Sequence, residues 1–179
     1  DIRFFVAVPV KYKDLVEKHI HGSYPGADIH VTEEYNIFSE TGKVAFAALS
    51  LKNANFNPIR TFKDLPVDPL SSITSVLAKM GEGEGAVVQV LIQPTGGKWR
   101  SQGRSYISHV KKTEANPEKA NFKVDQKTLE AIEHKTGKPG FAAVVRLVVS
   151  SPTEEQAKHH LENLITSFGQ FASDQNHFS

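Results

Sequence analysis

The chain has 179 residues, of which 39% are hydrophobic and 23% charged, and its formal net charge is +1. These values are ordinary for a globular protein with one buried core, and they exclude a strongly polyanionic or polycationic chain. Because the sequence contains no cysteine, disulfides, thiolate catalysis and cysteine-ligated metal sites are excluded as well.

The first half of the chain alternates between strand and helix patterns. Period-two alternation predicts a strand over Ile2–Val10, and helical spacing predicts a helix over Lys13–Tyr24. Two further strands are predicted over Ile29–Phe38 and Lys43–Lys52. The turn signal Thr41-Gly42 separates them, so we expect an antiparallel hairpin.

A second helix and a fourth strand complete the predicted core. The helix starts at Asp68-Pro69, where the aspartate is placed to cap it and proline fits the first turn. Gly81–Gly85 ends the helix and opens a strand over Ala86–Gln93, which is apolar on both faces and therefore expected in the middle of the sheet. The resulting order, β-α-β-β-α-β, predicts an α+β fold with a ferredoxin-like split βαβ core.

The remaining residues predict an extension of this core by helices and a further β-α unit, all within one domain spanning residues 1–179. Helices are expected over Trp99–Lys112 and Asp125–Thr136, with a polar loop over Thr113–Phe122 between them. The strand Phe141–Val149 follows and should run antiparallel to the fourth strand. A capping motif, Ser151-Pro152-Thr153-Glu154, then starts the last helix. Its apolar positions recur at helical spacing: Ala157, Leu161, Leu164, Ile165, Phe168 and Phe171.

The sequence shows no motif for catalysis, a cofactor or a metal. It has no G-x-x-x-x-G-K-[ST] phosphate loop. The glycines of Gly81–Gly85 follow a helix and open a strand, the reverse of a dinucleotide-binding loop. His19 and His21, two residues apart on a helix, are poorly spaced to share a metal. We therefore expect a chain that is not an enzyme and has no cofactor, metal site, catalytic residue or small-molecule substrate.

A basic segment is the first candidate contact surface. Residues 98–123 contain seven lysines and arginines and two glutamates, a local charge of 7 − 2 = +5. Basic residues mixed with aromatic ones are typical of surfaces that hold DNA or anionic lipid. The alternative is a solvated helix whose tryptophan packs inward. The candidate contact residues are Lys98, Trp99, Arg100, Arg104, Lys111 and Lys112.

A polar sheet face is the second candidate. Arg146 lies in the middle of an apolar strand, and its charge must reach water or a partner. Gln89 and Gln93 share one face of the neighbouring strand. If Arg146 joins them, the sheet has an open polar face suited to docking another domain. The alternative is an arginine that extends from the sheet to solvent.

Several short stretches carry a resemblance to a known family. They include Ile2–Pro9, Tyr24–Ile29, Asn57–Phe62 with Asp68–Leu70, and Val88–Pro94 with Trp99. The strand Phe141–Val149 and the closing residues Phe168, Phe171, Asn176 and Phe178 belong to the same set. Together they resemble the region ahead of the motor in type IV secretion and conjugation ATPases of the coupling-protein kind from candidate-phylum bacteria.

The resemblance implies that the chain is a fragment of a longer, membrane-anchored ATPase. Membrane spans would precede the fragment and a RecA-like motor with the nucleotide site would follow it. The fragment itself would be a non-catalytic cytoplasmic module at the inner face of the membrane that positions the motor or contacts subunits or substrate. Its partners would be the motor, other secretion subunits or further copies of itself. The alternative function is a stand-alone nucleic-acid-binding domain that uses residues 98–123.

Overall fold

The computed structural model describes residues 1–32, 36–116 and 124–179. The chain divides into two compact units, residues 1–36 and 37–179. In the first unit a single turn of 3₁₀ helix, Val10–Tyr12, leads into helix α1, Lys13–Ser23. The helix predicted over Lys13–Tyr24 is therefore confirmed.

Two predicted strands are absent from the part of the chain that the structure describes. Residues 1–9 carry no regular secondary structure, and neither do residues 29–32 and 36–38; positions 33–35 lie outside the described residues. The strand predictions over Ile2–Val10 and Ile29–Phe38 are thus wrong wherever the structure tests them. Alternation identifies an apolar face, but a strand also needs a neighbour that completes its hydrogen-bond ladder.

The second unit contains both helices and an antiparallel sheet, so the predicted α+β class is confirmed. Its first four elements are β1 (Lys43–Leu49), α2 (Pro69–Leu77), β2 (Gly85–Pro94) and α3 (Lys98–Glu114). The last three are α4 (Gln126–Thr136), β3 (Phe141–Ser151) and α5 (Glu154–Ser167). Most of the predicted loop Thr113–Phe122 lies outside the described residues.

The three strands form an antiparallel sheet in the order β1-β3-β2. The fifth predicted strand does run antiparallel to the fourth, as expected. However, β3 occupies the centre, so the prediction of a central Ala86–Gln93 strand is wrong, and β1 pairs with β3 instead of forming the predicted hairpin. A ferredoxin-like core needs four strands, whereas the described residues form three.

Helices α2 and α5 cover one face of this sheet, here called the inner face. The central strand contributes Val145, Leu147 and Val149, which are all buried. From the helices come Ile73 of α2 and Ala157 and Leu164 of α5. Helix α2 starts as predicted, because the Asp68 side chain accepts a hydrogen bond from Leu70 N at 2.9 Å. The cap of α5 is Thr153, two residues after Ser151, the capping residue of the predicted motif.

Helices α3 and α4 pack on each other around a separate small core. Ile107 and Val110 of α3 meet Leu129 and Ile132 of α4. The two helices approach closely at Gly103, where a Cβ atom would lie 2.5 Å from the Thr136 Cγ2 atom. This position therefore requires glycine for packing, although glycine lowers helix propensity.

The C-terminal segment is fixed by a buried asparagine. Asn176 accepts a hydrogen bond from Asn53 N at 2.9 Å and donates one to Asn57 O at 3.2 Å. Beside it, Phe178 forms a bridge with Leu51 and stacks edge-to-face on Phe168 at a centroid distance of 5.9 Å. These contacts connect the chain end to the loop after β1.

Candidate functional site

The outer face of the sheet brings together the residues of the predicted docking face. In the antiparallel register Gln89 lies opposite Arg146, and Arg146 lies opposite Ala48 of β1. Directly opposed residues point to the same side of a sheet, and Gln93, four residues along β2, shares that side. Gln89, Gln93 and Arg146 are all exposed, so the structure places the three predicted residues on one open face.

This outer face is more apolar than the sequence analysis anticipated. Phe46 of β1 is 76% exposed and Val44 is 48% exposed. Leu91 and Val144, which oppose each other on β2 and β3, are each 41% exposed. The polar trio is thus embedded in an exposed apolar surface, which is typical of a site for another protein.

The sequence did contain a signal for these apolar residues. Strand β1, with the sequence KVAFAAL, has apolar side chains on both faces. Its inner-face residues Ala45 and Leu49 are buried, whereas Val44 and Phe46 are exposed. A strand that is apolar on both faces normally lies between two covering layers, so the exposed side of β1 lacks a layer within the described unit.

The basic segment forms a second site, a groove beside α3. Its volume is about 630 Å³, and Arg104, Lys111 and Lys112 line one side. Ser108 lies on the same stripe of the helix, and Glu133 of α4 contributes the opposing charge. Positions 108, 111 and 112 lie four, seven and eight residues after Arg104, so each of them shares a helix face with it. This arrangement presents three cations and a hydroxyl to the solvent.

The other predicted residues of the basic segment do not belong to this groove. Arg100 is half-buried and donates a hydrogen bond from Nε to Thr136 O at 3.0 Å, so it stabilises the C-terminal end of α4. Trp99 packs on Gly140, where a Cβ atom would lie 2.7 Å from the indole Cζ2 atom. Lys98 is exposed in the first turn of α3, about 20 Å along the helix from Lys111 at 1.5 Å per residue.

Two ionisable side chains outside the predicted set are held by specific contacts. Glu84 accepts a hydrogen bond from Gly81 N at 2.8 Å and lies 3.1 Å from His160 Nε2 of α5. The Gly81 backbone amide, followed by His160, lowers the pKa of Glu84. Lys135 donates to Asn57 O at 2.9 Å, and its burial lowers the pKa of its ammonium group. Glu84 thus connects the turn after α2 to α5, and Lys135 connects α4 to the loop after β1.

Two features are absent from the described residues, 1–32, 36–116 and 124–179. No three side chains of histidine, cysteine, aspartate or glutamate cluster as a metal site would require. None of the helices in these ranges combines the length and the hydropathy that a membrane crossing demands.

Comparison with known proteins identifies a family. Residues 1–177 match the family described as a domain of unknown function, DUF8128, and the chain belongs to it. No curated protein and no solved structure matches the chain.

Proposed function

We propose that this DUF8128 domain is a non-catalytic docking module of a type IV secretion or conjugation ATPase. The module lies at the cytoplasmic face of the membrane and positions the motor, or contacts neighbouring subunits or substrate, through the outer face of its sheet. The assignment to a secretion ATPase is supported by the resemblance of the short stretches named in the sequence analysis. The docking role rests on one observation, the exposed apolar surface around Gln89, Gln93 and Arg146.

The physical argument for docking starts from solvation. Exposed apolar surface is unfavourable in water by about 25 cal/mol per Å². An aromatic side chain that is 76% exposed, such as Phe46, therefore gains free energy when a partner covers it. Aromatic and arginine side chains are the commonest anchors of protein interfaces, and Phe46 and Arg146 supply one of each. The glutamines add donors and acceptors that fix the orientation of the partner.

Site-specific photo-crosslinking in the full-length protein tests this proposal. A photoreactive phenylalanine analogue at position 46 should crosslink to a polypeptide of the secretion machinery, identified by mass spectrometry through its Walker motifs or its place in the apparatus. The same analogue at Phe62, which is also well exposed but lies outside the sheet, is the matched control. Equal crosslinking at both positions, or no product at position 46, would contradict the proposal.

A second function, nucleic-acid binding, is favoured by the groove beside α3. Three cations on one helix face can neutralise backbone phosphates, and binding of this kind falls steeply with salt. DNA-binding anisotropy over a salt series should show weak binding that is lost in the triple variant Arg104→Glu, Lys111→Glu, Lys112→Glu. Arg100 is left unchanged because its hydrogen bond is structural.

A control variant of equal charge isolates the groove. Reversal of Lys11, Lys13 and Lys18, all exposed, changes the net charge equally but leaves the groove intact. Retained binding in this control and loss in the groove variant would assign the site. Equal losses would show that net charge alone attracts the DNA. Binding of phosphatidylserine vesicles in the absence of DNA binding would identify the groove as a site for anionic lipid.

A further inference from the structure

The β2–β3 ribbon extends beyond the end of β1. Strand β1 stops at Leu49, opposite Val145, whereas β2 and β3 remain paired as far as Pro94 and Phe141. We call residues 89–94 of β2, together with residues 141–144 of β3 that lie beyond β1, the ribbon tip. Every residue of the tip is exposed, including Val90 at 62% and Ile92 at 65% on the inner face.

Apart from Pro94 at its end, the edge of β2 that faces away from β3 lacks the features that normally protect an edge strand. In the described part of the chain, β2 has a strand neighbour on one side only. Natural edges carry charges, inward-pointing lysines or bulges that discourage pairing. Strand β2, with the sequence GAVVQVLIQP, contains no charged residue. Its terminal Pro94 interrupts the ladder at the last position alone. The backbone groups of the tip are therefore suited to pair with another strand.

The sequence of the tip identifies the partner strand. Gln89-Val90-Leu91-Ile92-Gln93 is a palindrome of residue type about Leu91. When this strand pairs antiparallel with its own copy about a two-fold axis at Leu91, glutamine opposes glutamine and valine opposes isoleucine. Leucine then opposes leucine on the axis itself. Cross-strand pairs of like kind stabilise a sheet, and an uncharged strand brings no like charges together.

We propose that a second copy of this chain pairs with the ribbon tip through β2, which joins the two three-stranded sheets into one of six strands. The contact is isologous, so it closes as a dimer and leaves no further edge of the same kind. Valine and isoleucine of the two copies contact each other on the inner face. The glutamine amides pair on the outer face. Gln89 and Gln93 are shared with the proposed docking face, but Phe46 and Arg146 stay open in the dimer, so this pairing can be tested independently of the proposed function.

Disulfide trapping tests the predicted register, because the native chain contains no cysteine. Residues on the two-fold axis lie 4.5–5.5 Å apart between Cα atoms, within the range of a disulfide. Leu91→Cys should therefore form a covalent dimer rapidly on mild oxidation. Gln89→Cys alone should not, since its copy lies about 14 Å away along the strand at 3.4 Å per residue. A mixture of Gln89→Cys and Gln93→Cys should crosslink. Slow, equal crosslinking at all these positions would overturn the register.

Analytical ultracentrifugation tests the dimer itself. The parent should show a concentration-dependent dimer, and Ile92→Lys should raise its dissociation constant at least tenfold, because the valine–isoleucine contacts are lost and the lysines of the two copies repel each other. Phe46→Lys is the matched control and should leave the dimer unchanged; circular dichroism confirms that both variants fold. A parent that stays monomeric up to about 1 mM would overturn the proposal. A dimer broken by Phe46→Lys and not by Ile92→Lys would do so as well.

Discussion

Replacing Gly103 with alanine reverses the usual sign of a glycine-to-alanine change in a helix. In an open helix this substitution stabilises by about 1 kcal/mol. In α3 the added methyl group would lie 2.5 Å from Thr136 Cγ2 and 2.9 Å from Phe56 Cβ. Overpacking of this kind costs about 1–3 kcal/mol. The expected net effect of Gly103→Ala is therefore a loss of about 0–2 kcal/mol in the free energy of unfolding.

Urea denaturation followed by circular dichroism measures this effect. Gly22→Ala in α1 is the matched control, because a Cβ atom there would have nothing within 4 Å. It should keep or raise the helical signal and should not lower the urea midpoint. If Gly103→Ala also raises the midpoint, helices α3 and α4 do not pack as closely as described, and the groove between them has a different shape.

Three further predictions concern the core, the hydrogen bonds of Asn176 in the C-terminal segment, and the response to acid. Phe168→Ala, at a buried position, should destabilise by about 3–5 kcal/mol in urea denaturation. Phe46→Ala should change stability by less than about 0.5 kcal/mol, and equal costs would refute the assigned burial. Asn176→Ala should lower the free energy of unfolding by about 3 kcal/mol, because several buried backbone groups lose hydrogen-bond partners. The exposed change Asn163→Ala should be neutral. Similar melting temperatures for both variants would show that Asn176 does not fix the C-terminal segment. The pKa of Glu84 is lowered in the fold, so its contribution is present above its usual pKa and lost as pH falls through the folded pKa. Glu84→Gln should accordingly flatten the acid limb of thermal stability, and an unchanged limb would refute the contact.

Helices were predicted well because their signals are local. The cap at Asp68, the helix bounds Asp125–Thr136 and the periodic stripe through Ala157 and Leu164 are all set by residues close together in the sequence. Each of these features appears in the structure near its predicted position. Local hydrogen bonds and one apolar face suffice to specify such elements.

Sheet topology was predicted less well because strand pairing depends on distant residues. The pattern over Ile2–Val10 resembles a strand, yet residues 1–9 form none. The central position of β3 depends on its pairing with two strands about 50 and 100 residues earlier, and no local pattern reports that. Apolar residues on both faces of β2 predict a strand buried between two layers, whereas in the ribbon tip both faces of β2 are exposed.

The candidate sites divide along the same line. The shared face of Gln89 and Gln93 followed from strand periodicity, because residues of one parity share a face, whereas the position of Arg146 opposite Gln89 depends on the register between β2 and β3. The different roles of Arg100 and Arg104 did not follow from sequence. Arg100 donates a hydrogen bond to the end of α4, and this contact depends on how α3 and α4 pack.

Hydroxyl-radical footprinting of Phe46 tests the central claim, that the outer sheet face docks a protein of the secretion machinery. In the free domain this ring is 76% exposed and should be oxidised readily. In the assembled, membrane-bound complex the account predicts strong protection of Phe46 and Val144, while the exposed ring of Phe62 reacts as before. Equal oxidation of Phe46 in the free and assembled states would contradict the account.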